Sequence, residues 1–220
     1  MKNLSLFLFL LLVACTPKIT ADTVKVIGTN GEFKILDFKS DTTEILLSKT
    51  IPIIAKIEGL SKFKSLKKLS ISFSDLRETD FSFLDNASGL EVFQLSFAKI
   101  KDLNFIKRMP MVIAFSCNET ILIENLSTID LSENEHLEFL EIHGAHLPSL
   151  PLFINVPESL KYVSFYGTKI ENIDLHILDL LAHNNLAFFF NDDLIERIGE
   201  TKLLISEKSN LRQLYKDYDL

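Results

Sequence analysis

Residues 137–147 read Leu137-Glu138-Phe139-Leu140-Glu141-Ile142-His143-Gly144-Ala145-His146-Leu147. Aliphatic residues hold the first, fourth, sixth and eleventh places, and the fold follows from where that spacing recurs. Written L-x-x-L-x-L-x(4)-L, the pattern occurs earlier at Leu66, Leu69, Ile71, Leu76 and at Leu90, Phe93, Leu95, Ile100. A third copy reads Met111, Ala114, Ser116, Ile121; two more follow the quoted stretch, at Leu160, Val163, Phe165, Ile170 and at Asn185, Phe188, Phe190, Ile195. Only Ser116 and Asn185 break an otherwise apolar set. Successive copies begin 24, 21, 26, 23 and 25 residues apart, a step that fits stacked coils of about 20–29 residues.

Over residues 44 to 198 this pattern resembles the leucine-rich repeat family. The strand is followed by an isoleucine-rich half-turn, as in Ile100-Lys101-Asp102-Leu103-Asn104-Phe105-Ile106 and Ile170-Glu171-Asn172-Ile173, which is similar to the bacterial internalin type. The resemblance implies an α/β leucine-rich repeat solenoid, with a short-stranded parallel sheet on its concave face and a convex side of mixed helix, 3-10 turn and loop. At the ninth position the family has an asparagine that hydrogen-bonds from coil to coil. This chain has Ser74, Ala98, Glu119, Ala145, Thr168 and Asp193 there, so the asparagine ladder is missing.

The physics of the pattern agrees with a stack. In x-L-x-L-x two side chains point inward and their neighbours point to the other face of a short strand. One coil cannot bury its inward face alone, whereas stacked coils share a core and leave only two ends open. At the first end, Thr23–Ile27 and Glu32–Leu36 flank Gly28-Thr29-Asn30-Gly31, a hairpin signal. An irregular coil follows, with Ile45, Leu47, Ile54, Ile57 and Leu60 inward. At the other end, Leu203-Leu204-Ile205 offers a strand, and Ser209 is placed to cap a helix carrying Leu211, Leu214, Tyr215 and Tyr218. Asp174 to Asn184 reads as a capped convex helix.

The N-terminus carries a separate signal. Lys2 precedes an apolar run from Leu4 to Val13 that is too short to span a bilayer, and the run ends in Leu12-Val13-Ala14-Cys15. This end resembles the lipobox of bacterial lipoproteins, which implies removal of residues 1–14 and acylation of Cys15. The expected organisation is a signal peptide at 1–14, a lipidated tether at 15–22, an N-terminal β cap at 23–43, the repeat domain at 44–201 and a C-terminal cap at 202–220. With Cys15 assigned to lipid, Cys117 has no partner for a disulfide and reads as an inert, buried thiol.

Composition narrows the function. The 220 residues are 47% apolar and 24% charged, with only 7 Gly and 6 Pro, so the chain must bury a core. Thirty acidic residues face 23 basic ones, for a net charge of -7 without a basic run, which argues against nucleic acid as a partner. His136, His143 and His146 lie near Glu135, Glu138 and Glu141, but the spacing matches no metal-ligand motif. No phosphate loop, nucleophile elbow or C-x-x-C is present. No cofactor and no enzymatic activity are expected.

What remains is the surface. At positions 3, 5 and 7 of each copy the early coils carry small polar residues. The later ones carry Ile113, Phe115, Phe139, Glu141, His143, Tyr162, Tyr166 and Phe189, an aromatic stripe of the kind that marks a partner site. A one-residue slip in register would exchange the faces and send such rings into the core. The expected protein is a monomeric, lipid-anchored module of the bacterial cell envelope, held to a membrane by its N-terminal lipid, that binds another protein on this stripe. Two alternatives stand beside it: a structural lipoprotein without a ligand, and a metal-binding or hydrolytic protein using the histidine and glutamate cluster.

Overall fold

The computed structural model describes residues 22–122, 126–174, 177, 186–198, 204–205 and 208–220. The leader, Cys15 and most of the Asp174–Asn184 segment lie outside them. Eight parallel strands form one sheet in chain order: Glu44–Ser48, Lys68–Ser72, Val92–Ser96, Ala114–Asn118, Phe139–His143, Tyr162–Ser164, Ala187–Phe189 and Leu204–Ile205. Each strand pairs with the next coil's strand, so the chain is a leucine-rich repeat solenoid built from the repeat spacing itself. The convex side is mixed, with 3-10 turns at Leu60–Lys62, Phe81–Asn86 and Asn104–Arg108. In later coils a parallel pair, Thr128–Asp130 with Leu152–Ile154, takes their place.

The register places Leu69, Phe93, Phe115, Leu140, Val163 and Phe188 side by side, and Ile71, Leu95, Cys117 and Ile142 beside them. The third copy is therefore one residue later than its expected reading. Val112, Phe115 and Cys117 are buried, and Leu122 pairs with Ile100, whereas Met111 and Ile121 are exposed. The reason is area: turning Phe115 and Cys117 inward buries far more apolar surface than turning Ala114 and Ser116 inward. Phe115 then packs against Phe93 and Phe105, with ring centroids 5.9 Å from each.

Backbone bonds link the coils in place of the missing asparagine ladder, and buried hydroxyls at the ninth position add local bonds and one cross-coil bond. The residue after each of the first five strands takes a left-handed backbone, at Lys49, Phe73, Phe97, Glu119 and Gly144, and Gly167 does so three residues after the sixth. In the early coils its N–H donates to the next strand's last carbonyl: Phe73 to Ser96 at 3.0 Å, Phe97 to Asn118 at 2.9 Å, Glu119 to His143 at 2.9 Å. With the corrected register the ninth position of the third copy is Thr120, not Glu119. Ser74, Thr120 and Thr168 are buried there and donate their hydroxyls to the carbonyls of Ser72, Asn118 and Ile142.

At the N-terminal end, Asp22–Gly28 pairs antiparallel with Phe33–Phe38 through a turn at Gly28–Gly31, and on its other edge with Ile54–Glu58. That third strand comes from the convex side of the first coil, so hairpin and solenoid share one sheet. Gly59 follows at φ 93, and a side chain there would meet the Thr23 carbonyl at 2.3 Å, so only glycine lets the two chains approach. At the C-terminal end Leu204–Ile205 adds the eighth strand to the sheet, and a helix follows. This helix, Lys208–Asp217, includes Ser209 in its first turn rather than before it, and it lies across the concave sheet.

Candidate functional site

The concave face is built by alternation along the strands. Each inward apolar pair leaves residues of the opposite parity pointing away from the core, and in-register pairing lines them up from coil to coil. One row runs Lys68, Val92, Ala114, Phe139, Tyr162, Ala187; the next runs Ser70, Gln94, Ser116, Glu141, Ser164, Phe189. Of the expected stripe, Phe139, Glu141, His143, Tyr162, Tyr166 and Phe189 share this side. Phe115 does not, because the register correction turns it into the core, and Ile113 precedes its strand, half-buried. Ala114 and Ser116 stand in their places. The cue was legible, since Val112, Phe115, Cys117 and Leu122 complete the repeat with four apolar residues.

The stripe is covered. Leu211 and Leu214 of the C-terminal helix form a second hydrophobic cluster with Ala114, Phe139 and Phe189, joined by Val92, Tyr162, Tyr166, Tyr215, Tyr218 and Leu220. Phe139 is fully buried, with the Tyr218 ring stacked at 5.5 Å and the Tyr215 ring edge-on at 6.3 Å. The polar partners are placed with equal care. The Tyr215 hydroxyl donates to Glu141 Oε1, the Ser116 hydroxyl donates to Glu141 Oε2 at 2.5 Å, and the Tyr218 hydroxyl donates to Glu138 Oε2 at 2.8 Å. Beyond the helix, Lys68 Nζ reaches the Asp219 carbonyl at 2.6 Å, anchoring the chain end on the second strand of the sheet.

Burial decides the electrostatics. Glu141 is 2% exposed, and loss of water raises its pKa above the ordinary value, against the opposing pull of the Ser116 and Tyr215 donors. The same burial, together with the glutamates they face, pushes the Tyr215 and Tyr218 phenols far up, so both remain donors. Glu138 moves the other way, held down chiefly by its hydrogen bond to Lys161.

The histidine and glutamate cluster does not converge. His143 Nδ1 is 3.0 Å from Asn118 Oδ1, and its ring stacks on Tyr166. His146 pairs with Glu171 at 2.8 Å, and His136 and Glu135 sit in an exposed turn. Among the described residues no three His, Cys, Asp or Glu side chains come together as a metal-holding group. Burial also raises the Cys117 thiol well above its ordinary value, which removes the thiolate a nucleophile requires. Among the described residues no helix is long and apolar enough to cross a membrane.

No family model matches the chain. Among curated proteins it is 28% identical over 142 residues to Receptor-like protein 6 of Arabidopsis thaliana, covering 62% of this chain and 13% of that protein. Among solved structures it is similar to an internalin (inlF) of Listeria monocytogenes, at 14% identity and a TM-score of 0.33, over 77% of this chain and 59% of that one. The functional domain of InlJ from the same organism is similar at 16% identity and a TM-score of 0.31, over 70% and 46%. The chain thus spans a small part of the curated relative and about half the length of the internalin chains. Its own strand order and register establish the fold, a leucine-rich repeat solenoid with a parallel sheet on the concave side.

Proposed function

We propose that this protein is a non-enzymatic, lipid-anchored binding module of the bacterial cell envelope, which holds a protein partner on the concave face of its repeats. The observation that carries the reading is the stripe itself. Phe139, Tyr162, Tyr166 and Phe189, with Glu141 and His143 among them, make an apolar groove with polar handles, and the groove takes up an amphipathic helix. Aromatic rings supply contact area at low entropic cost, and the buried Glu141 carboxylate adds orientation. Cys15, ending the apolar leader, supplies the anchor under this reading, with two or three acyl chains giving stable attachment. The likeness to a plant receptor-like protein supports the protein-binding part of this reading alone.

A photo-crosslinking residue in place of Tyr166 tests the binding site, with one in place of Glu133, in an exposed turn outside the sheet, as the control. A protein captured from the first position and absent from the second supports the reading; identical capture from both overturns it. Anchoring is read by detergent phase partition: the intact chain is expected in the detergent phase and Cys15→Ser in the aqueous phase.

One observation favours the structural alternative. Because the chain's own helix fills the groove, the repeats could serve as spacers with no ligand, and crosslinking from Tyr166 to residues 208–220 alone would establish that role.

A further inference from the structure

The way the C-terminal helix is held shows what the groove is shaped to accept. Its docking face consists of Leu211, Leu214, Tyr215 and Tyr218, at i, i+3, i+4 and i+7. The other face, Arg212, Gln213, Lys216 and Asp217, is exposed. The four docking side chains, Leu220 and two phenol hydrogen bonds make the contact, with Lys68 Nζ holding the Asp219 carbonyl beyond the helix end. The solenoid closes its main core without this helix: among the described side chains, none of residues 210–220 belongs to the cluster running from Val24 to Ile198. The helix instead belongs to a separate cluster on the outer side of the sheet. A contact made by one face of a short helix, on a sheet that has its own core, is the contact a separate chain would make.

Glu141 adds selectivity. Its carboxyl sits at the floor of the groove with Ser116 on one oxygen, and the other oxygen is satisfied from the helix by a phenol. A helix offering an acid or a plain hydrocarbon there would leave a buried acceptor unpaired.

We propose that the concave groove is a receptor site for an amphipathic helix of a partner protein, presenting leucines at i and i+3 and tyrosines at i+4 and i+7. The chain's own residues 208–220 occupy that site until such a helix displaces them. The proposal rests on the reading of the concave face as a binding surface and names the partner that surface fits.

The test uses the full chain and a labelled peptide of residues 208–220. Leu211→Asp with Leu214→Asp in the chain releases the resident helix, and fluorescence anisotropy then reads peptide binding. The expected result is saturable binding at least tenfold tighter to the double variant than to the unaltered chain, weakened several-fold when both peptide tyrosines are phenylalanine. A folded double variant that does not bind the peptide overturns the proposal. Should the double variant fail to fold, the unaltered chain decides by amide exchange. Excess peptide is expected to speed exchange across the chain's own residues 208–220, and unchanged exchange overturns the proposal. If the peptide fails while Tyr166 crosslinks to a protein persist, only the helical partner is refuted; if both fail, the binding reading falls as well.

Discussion

The phenol of Tyr215 donates to Oε1 of Glu141, a carboxylate 74 residues earlier in the chain and 2% exposed. Each group answers the other's burial. Without the phenol, Glu141 keeps only the Ser116 hydroxyl; without the carboxylate, the tyrosine buries a hydroxyl against the sheet. This pair ties the C-terminal helix to the middle of the concave face, and its energetics are open to measurement.

Tyr215→Phe removes one donor from a buried carboxylate while keeping the ring. The expected cost is about 1–3 kcal/mol in helix docking, the penalty for a buried acceptor losing its partner. Tyr218→Phe is expected to cost less, because Glu138 keeps Lys161 at 2.8 Å and stands nearer to solvent. Amide exchange across residues 211–218 reads both, and equal effects would contradict the assigned geometry.

The pH dependence follows from the direction of the Glu141 shift. Burial raises its pKa in the docked state above the ordinary 4.5, and the helix supplies part of that burial. Docking therefore takes up a proton. The helix is held most tightly below the ordinary value, and the contribution is lost as pH rises through the raised one. Glu138 acts in the opposite sense, its pKa lowered by Lys161 and Tyr218, so its contribution is lost only as pH falls below the carboxylate range. From pH 5 upward the Glu141 effect stands alone among the carboxylates facing the helix, with His143 and Cys117 its other titratable neighbours. Exchange at residues 211–218, corrected for intrinsic rate, is expected to quicken with pH in the unaltered chain and to flatten in Glu141→Gln.

Asn134 is fully buried and donates from Nδ2 to the carbonyls of Ile106 at 3.0 Å and Met109 at 3.1 Å, closing the end of the Asn104–Arg108 turn. Asn134→Ala leaves two buried carbonyls without that donor. A loss of about 1–3 kcal/mol in unfolding free energy is expected, measured by chemical denaturation; a change below about 0.5 kcal/mol would show that the two bonds do not stabilise the coil.

Cys117 is buried, and its thiol is pushed well up by desolvation, with Glu141 adding to the effect. In a Cys15→Ser chain it is expected to resist a thiol reagent at pH 8 until denaturant is added. Prompt labelling of the native protein would place the thiol at the surface and undo the register of the third coil.

Much of this architecture was legible beforehand, and the misreadings have physical causes. The leucine spacing reveals the coils because an inward position tolerates little besides an apolar side chain. The third copy misleads because Ala114 and Ser116 satisfy the template by position while Phe115 and Cys117 satisfy it by burial, and burial carries the larger free energy. The stripe residues from Phe139 onward were legible for the same reason as the core, since alternation sets both faces of a strand at once. That the stripe is covered was not, because Leu211, Leu214, Tyr215 and Tyr218 announce an apolar helix face without saying which surface receives it.

The repeat, the parallel sheet that follows from it and the amphipathic character of the last helix are all written in local spacing, since each depends on side chains a few residues apart. Tertiary structure alone decided where that helix rests, that Tyr215 meets Glu141, and that Phe115 turns inward. Those outcomes depend on which distant surfaces bury the most apolar area while leaving no polar group unpaired, and a local spacing carries no record of that competition.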